Sequence, residues 1–408
     1  MAAADVVVVL TALSLPWSTS AVGIFGVVLL ITVAPTLDVK AFGAHLKRPI
    51  CAAPIALFVL ALAGTLWSDA AWGARLYAVG PTAKLLVLPV LLYHFERSTR
   101  GTWVFAAFLV SCTLLMLMSW LVLLHPSLSL KPPNGLERGI FVKNYIDQSQ
   151  EFTLCAVALA YPIFVLLREK RTALALLLIA VALSFFANMA FVVVSRTALV
   201  TVPIMFAVFA LLHLRWRSIA LILSAIAMLG VVAWYGSPPL RHTTETFSRD
   251  YQLYKESNLP TSIGLRLEFW RKSLSFFAEA PVIGHGTGAT RGLFERVATG
   301  QNQASSEVIG NPHNQTLNVA VQWGIVGVAV LYAMWGLHLL LFRGDGLANW
   351  LGLLVAVQNI FTSLFNSHVF DFHEGWMYVL GVGVAGGMVV RARSTARLEP
   401  EGPYVDDH

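Results

Sequence analysis

Charge is what this sequence has least of. Of its 408 residues only 12% are Asp, Glu, Lys or Arg, against roughly a quarter in a soluble chain. That shortage excludes a globule solvated on all sides, and the 57% hydrophobic content and mean hydropathy of +0.70 agree. Period-2 alternation is missing as well, which excludes a membrane β-barrel. What remains is a series of apolar runs about 17–25 residues long, enough to cross ~30 Å of hydrocarbon at 1.5 Å per residue. In lipid such runs satisfy their backbone polar groups as helices. Cysteine is scarce: Cys51, Cys112 and Cys155 all fall inside apolar runs, so buried thiols are expected and a disulfide framework is not. Internal repeats and low-complexity tracts are absent. No basic flank marks Met1–Asp5 as a cleaved leader, and the first run is read as a retained helix.

The expected fold is an all-α polytopic membrane protein. Twelve spans are predicted, near 4–17, 20–36, 50–67, 78–94, 101–125, 147–168, 172–188, 194–213, 217–236, 313–342, 347–365 and 374–391. A long polar loop separates the ninth from the tenth. The chain thus divides into 1–236 with spans one to nine, the loop 237–312, 313–391 with the last three spans, and a tail 392–408, expected to be disordered beyond Arg397.

Short-loop charge sets the orientation. Lys40, Lys47 and Arg48, Arg97 and Arg100, Arg168, Lys170 and Arg171, Arg215 and Arg217, Arg343, and Arg391, Arg393 and Arg397 share one side. The positive-inside rule places that side, with both termini, in the cytoplasm. The net charge of +6 is therefore a topology signal and gives no reason to expect nucleic acid. Other cations stand on the translocated side or within spans. Arg241, Arg249, Lys255, Arg266, Arg271, Lys272, Arg291 and Arg296 lie in the long loop; Arg75, Lys84, Lys131, Arg138, Lys143 and Arg196 lie elsewhere. Kept against the topological preference, they point to an anionic ligand such as phosphate or pyrophosphate.

Within the loop, Ser262–Ala278 interleaves Leu265, Phe269, Leu274, Phe276 and Phe277 with charged residues, the pattern of an amphipathic helix lying on the membrane. Pro281 and the Gly284, Gly286, Gly288 run then break it. With no strand before it, that run is neither a Walker nor a dinucleotide fingerprint. Gln301–Gly310 reads as a mobile polar loop.

A few residues can carry chemistry. Lys84 sits in an apolar span, where a charge costs about 2.5–3.5 kcal/mol on insertion scales; it either meets a cavity or partner or snorkels to the interface. Arg196 stands at the mouth of the eighth span, on the side where basic anchors are not expected. Arg266, on the surface helix, is open to a headgroup, to Glu268 or Glu245, or to a ligand. Asn311-Pro312 reads as a helix start, which puts His313 in the first turn of the tenth span. A helix N-terminus disfavours the protonated ring, leaving a neutral imidazole as base near pH 7, and it offers free N–H groups to an anion. His368, Asp371, His373 and Glu374 form a competing set. Such residues ligate zinc or another divalent ion, but their spacing matches no strong zinc pattern. A hydrogen-bonded loop that orders the site, without a metal, is the preferred reading.

Ser195-Arg196-Thr197, Arg266 followed by Trp270, Pro281 with Gly284-x-Gly286-x-Gly288, and His313-Asn314-x-x-Leu317 followed by Trp323-Gly324-Ile325-Val326-Gly327 together resemble the bacterial O-antigen ligase family. The wider group includes O-antigen polymerases and protein O-oligosaccharyltransferases. The resemblance implies a GT-C-like membrane glycosyltransferase of the bacterial inner membrane, working on the periplasmic face without metal or cofactor. It implies transfer of O-antigen polysaccharide from undecaprenyl pyrophosphate to a sugar hydroxyl of lipid A–core. By motif, the family's essential arginines correspond to Arg196 and Arg266 and its essential histidine to His313. Lys84, Arg138 and Lys143 are expected to assist at the pyrophosphate, and Asn314, Trp270 and the three glycines to meet the acceptor or shape the loop. A length of 408 residues leaves no room for the extra C-terminal domain common in the protein-modifying enzymes, which places ligase ahead of polymerase and both ahead of protein glycosylation. A flippase or transporter is the alternative from another class. It would need charge at mid-membrane and repeat symmetry, whereas the inward-facing halves of these spans read as nearly free of charge.

Overall fold

The computed structural model describes residues 1–130, 139–192, 194–213 and 216–398. Lys131, Arg138, Arg215 and the tail beyond Leu398 lie outside them. Among the described residues all regular structure is helical. α1 (Ala2–Ser14), α2 (Thr19–Val33), α3 (Val39–Leu46) and α4 (Pro49–Ala63) open the chain. α5 (Trp72–Ala83) and α6 (Val87–Phe95) meet at a 3₁₀ turn, Lys84–Leu86. Next come α7 (Gly101–Leu124), α8 (Tyr145–Ala158), α9 (Ala160–Arg168), α10 (Thr172–Phe191), α11 (Arg196–His213) and α12 (Trp216–Gly236). The long polar segment holds α13 (Pro238–Ser257), α14 (Ser262–Glu279) and α15 (Thr290–Val297), and α16 (Gln315–Leu341), α17 (Leu347–Thr362) and α18 (Phe372–Leu398) return to the bundle.

Among the described residues seven helices are long and apolar enough to cross a membrane, or eight if α3 and α4, bent by 78° at their junction, form one span. This is fewer than the twelve expected. α1, Arg196–Leu212 of α11, and α17 are apolar but shorter; the 13 residues of α1 reach only about 20 Å at 1.5 Å each.

α18 is the axis of the bundle. In its spanning window 78% of residues are buried, against 22% for α2, whose Ile24, Val27 and Ile31 face outward. The reason is local: Gly381 meets Val355 of α17, and Gly383 and Gly387 meet Leu91 and Phe95 of α6, so closely that no Cβ would fit. Small residues let apolar helices approach where the hydrophobic effect cannot drive them together.

α16 is the element that ties the polar segment to this bundle. It is broken at Gly324, whose φ of 61° and ψ of −156° are non-helical, a conformation that glycine tolerates. The break frees backbone groups, and the Pro281–Gly288 stretch takes them. Ile325 donates its N–H to the Pro281 carbonyl at 2.8 Å, while the carbonyls of Val321 and Gln322 accept from His285 and Gly286 at 2.9 and 2.8 Å. Gly284, Gly286 and Gly288 all have positive φ, and a Cβ on Gly284 would lie 2.5 Å from the Gln322 carbonyl carbon. Thr287 completes the seam, donating to the Ala61 carbonyl at 2.6 Å and accepting from Trp323 Nε1 at 2.8 Å.

The polar segment departs from expectation in three ways. α14 buries Phe269 and Phe276 in a cluster with Leu293, Phe294 and Val321, so these two rings meet α15 and α16, while Leu274 stays exposed. α13 is a long polar helix where none was predicted. The Gln301–Gly310 stretch is pinned: Ser305 accepts from Lys272 Nζ through its carbonyl at 2.6 Å and from Asn258 Nδ2 through its hydroxyl at 2.8 Å.

Candidate functional site

Three elements meet where the polar segment joins α16. α14 begins at Thr261, whose hydroxyl caps the Gly264 N–H at 3.1 Å, and carries Arg266 and Phe269 three positions apart, hence on one face. α11 begins at Arg196. The turn before α16 presents His313, with its ring stacked on Phe269 at 6.1 Å.

His313 is not in the first turn of α16. Asn314 is the N-cap, its side chain accepting from the Leu317 N–H at 3.0 Å, and the helix starts at Gln315. His313 precedes it with φ of 53°, a left-handed conformation that costs a residue with a Cβ. Its N–H is satisfied by Asn311 Oδ1 at 3.0 Å. The Gln315 and Leu317 N–H groups are taken by the Ser363 carbonyl and by Asn314, so this helix end offers an anion less than expected. The ring is nevertheless kept neutral. Burial lowers its pKa most, the nearby Arg266 charge lowers it further, and the hydrogen bond that it donates to Asn366 pulls it partly back.

The two arginines are in different electrical states. Arg196 pairs with Asp250 of α13, Nη1 to Oδ2 at 2.9 Å, donates from Nη2 to Thr246 Oγ1 at 2.7 Å and lies over the Phe247 ring at 4.8 Å. Arg266 is half-buried and makes no hydrogen bond or ion pair among the described residues. Burial depresses its pKa first; Tyr145 offsets this and the Arg196 charge adds to it. A guanidinium stays charged regardless, so Arg266 is a cation close to another cation, and it lacks a counter-ion.

Other expected residues are placed differently. Lys84 donates to the carbonyls of Phe370 and Asp371 at 2.9 and 2.6 Å, bridging the α5–α6 turn to the loop before α18. Lys143 is half-buried, donates to the Leu15 carbonyl and lies 3.9 Å from Glu151. Both ammonium groups are therefore engaged within the protein. Arg138 lies outside the described residues. Asn314 also donates to the Leu364 carbonyl at 3.1 Å. Trp270 is half-buried with its Nε1 lacking a partner, and the three glycines line the seam with α16.

The loop from Ser367 to Glu374 is held by several hydrogen bonds, although Asp371 Oδ2 and His373 Nε2 are buried without a partner. Ser367 donates to Asn311 Oδ1 at 2.7 Å, the Val369 N–H meets Gln315 Oε1 at 3.0 Å, and His373 Nδ1 lies 2.6 Å from Asp147 Oδ2. It also brings one ligand atom each of His368, Asp371 and Glu374 within 4.8 Å of one another, which their spacing had not suggested. Lys84 stands beside them, its charge acting on both carboxylates, in the role of the positive charge that a cation would supply. Burial is the main reason that His368 is lowered to about 4 and Asp371 raised to about 7.

This part of the bundle corrects the expectation of a charge-free interior. Asp147, Glu151 and Glu374 are buried inside it, Glu151 completely. They cluster beneath the His368–Asp371 loop, at the same end as the arginines.

The arrangement is a neutral imidazole beside paired cations at one end of a membrane bundle, which is the equipment for transferring a group from an anionic leaving group. The apolar helices around it define a multi-pass membrane protein. Residues 181–332 match the O-antigen ligase family, and over that stretch the chain is similar to it. The matched stretch contains Arg196, Arg266 and His313 together with the α16 break. An uncharacterized protein of Haemophilus influenzae is 28% identical over 143 residues, 34% of this chain and 36% of that protein, so the likeness covers about a third of each.

Some site residues gave no sign in the sequence. Asp250, Thr246 and Asn366 are ordinary polar residues, and each acts through a contact about 50 residues distant. The alternation of polar and apolar residues along 238–257 could have revealed α13, but not which carboxylate meets Arg196.

Proposed function

We propose that the protein transfers O-antigen polysaccharide from undecaprenyl pyrophosphate to a sugar hydroxyl of lipid A–core at the periplasmic face of the inner membrane. The observation that carries this reading is Arg266, a half-buried cation without a counter-ion among the described residues, beside both Arg196 and His313. A pyrophosphate leaving group gains negative charge as the glycosidic bond breaks, so fixed cations stabilise the transition state more than the ground state. His313 removes the acceptor proton as the hydroxyl attacks the anomeric carbon, and attack opposite the leaving group inverts that centre. No metal is needed in this scheme, because the arginines carry the charge.

The test is reconstitution of the purified protein with lipid-linked glycan and lipid A–core. Glycan-bearing lipid A–core is the expected product. Lengthened lipid-linked glycan with core untouched would make the protein a polymerase, and transport without any new glycosidic bond would make it a flippase.

A further inference from the structure

Arg196 and Arg266 lie on different helices, and one residue of a third helix touches the supports of both. Asp250 of α13 pairs through its carboxylate with Nη1 of Arg196 at 2.9 Å. Through its backbone carbonyl it accepts from Thr261 Oγ1 at 2.8 Å, and Thr261 is the N-cap of α14, five residues before Arg266. Thr246 and Phe247, one turn earlier on the same face of α13, hold the second Nη and the ring face of the Arg196 guanidinium.

These contacts hold Arg196 without consuming it. A guanidinium has five N–H donors in a fixed plane, and Asp250 and Thr246 each accept from one. Among the described residues nothing accepts from the Nε–H or from the second hydrogen on either Nη, while the edge and face contacts remove rotation of the plane. Asp250 also offsets part of the repulsion between two neighbouring guanidiniums.

We propose that Asp250 is the positioning residue of the anion site: its carboxylate fixes Arg196, while the backbone carbonyl at the same position, which any residue there would keep, ties α13 to the start of the helix that carries Arg266. This rests on the reading that the two arginines bind the pyrophosphate. Preorganised charge is effective only when its support holds it still, and a displacement of about 1 Å can cost on the order of 10²-fold in rate.

The experiment is a double-mutant cycle with the full-length protein in lipid nanodiscs, using a lipid pyrophosphate-linked glycan as donor. Asp250→Ala is expected to lower kcat/KM for the donor by about 10- to 100-fold, with a raised donor KM and an unchanged acceptor KM. Asp250→Asn, which still accepts from Nη1, should recover part of the loss. In an Arg196→Ala background, Asp250→Ala should cost far less, because most of its action runs through Arg196. Equal losses in both backgrounds, or unchanged turnover in the single variant, would overturn the proposal. A lower donor KM in Asp250→Ala would do so too, by making the carboxylate a competitor of the donor. If Asp250→Ala does not fold, Thr246→Val with Asp250→Asn runs the same cycle. Arg196→Ala with normal turnover would instead remove the pyrophosphate reading itself, a result visible before any Asp250 variant is compared.

Discussion

Oδ1 of Asn366 lies 2.8 Å from Nδ1 of His313, joining the turn before α16 to the loop before α18. An amide oxygen can only accept, so Nδ1 carries the ring proton and the lone pair falls on Nε2. The neutral base is thus oriented by a neutral partner. A carboxylate in the same place would favour the imidazolium and weaken it as a base near neutrality.

The pH profile should report this contact. His313 lies below its ordinary pKa through burial and Arg266, so turnover should be flat around pH 7 and fall only under acid conditions. Asn366→Asp adds a negative charge, raises the pKa and should move the acid limb toward neutral pH. Asn366→Ala removes the one raising contact, so the limb should move to lower pH while kcat falls with the lost orientation. An identical acid limb in all three proteins would dissociate it from His313.

His313→Ala should lose about 10²–10⁴ in kcat, the usual worth of a general base, with donor affinity kept. Donor binding and turnover measured on the same variant separate the base role from a binding role. If affinity falls as much as rate, His313 belongs with the arginines.

Lysine at position 196 or 266 keeps charge but loses the planar fork. Arg266→Lys should retain more activity than Arg266→Ala yet stay well below the parent. Arg196→Lys should do worse than Arg266→Lys, because it must replace two contacts on α13 as well as the ligand. Donor KM in these three variants and the parent gives the comparison.

Chelators should leave ligation unchanged. Lys84 already supplies positive charge beside Asp371 and Glu374, so Lys84→Met should disturb the His368–Glu374 loop and lower the melting temperature. Activity abolished by a chelator and restored by one divalent ion would show that the three ligand atoms hold a metal after all.

Much of this architecture was legible because lipid imposes it. Apolar runs predicted helices, and the motif residues Arg196, Arg266 and His313 were the ones that the fold brings together. The sequence misled where short-range signals competed. Asn311-Pro312 looks like a helix start, but the Asn314 side chain takes the cap three residues after Asn311, and His313 is left outside in a strained turn. The three glycines read as a loop breaker, whereas Gly284 and Gly286 meet the backbone just before Gly324, some 40 residues away, and Gly288 packs on the backbone of Ala74. Acidic residues such as Glu151 were hidden because they sit near the polar end of an otherwise apolar helix, where hydropathy averages them out.

The seam at Gly324 bears on how such enzymes could be recombined. A chimera that exchanged residues 238–312 alone would bring a foreign Pro281–Gly288 strip against a native break in α16, two surfaces shaped for different partners. The interchangeable part is larger than the apparent loop. It runs through Gly327, so that the first turns of a bundle helix travel with the segment that holds them open.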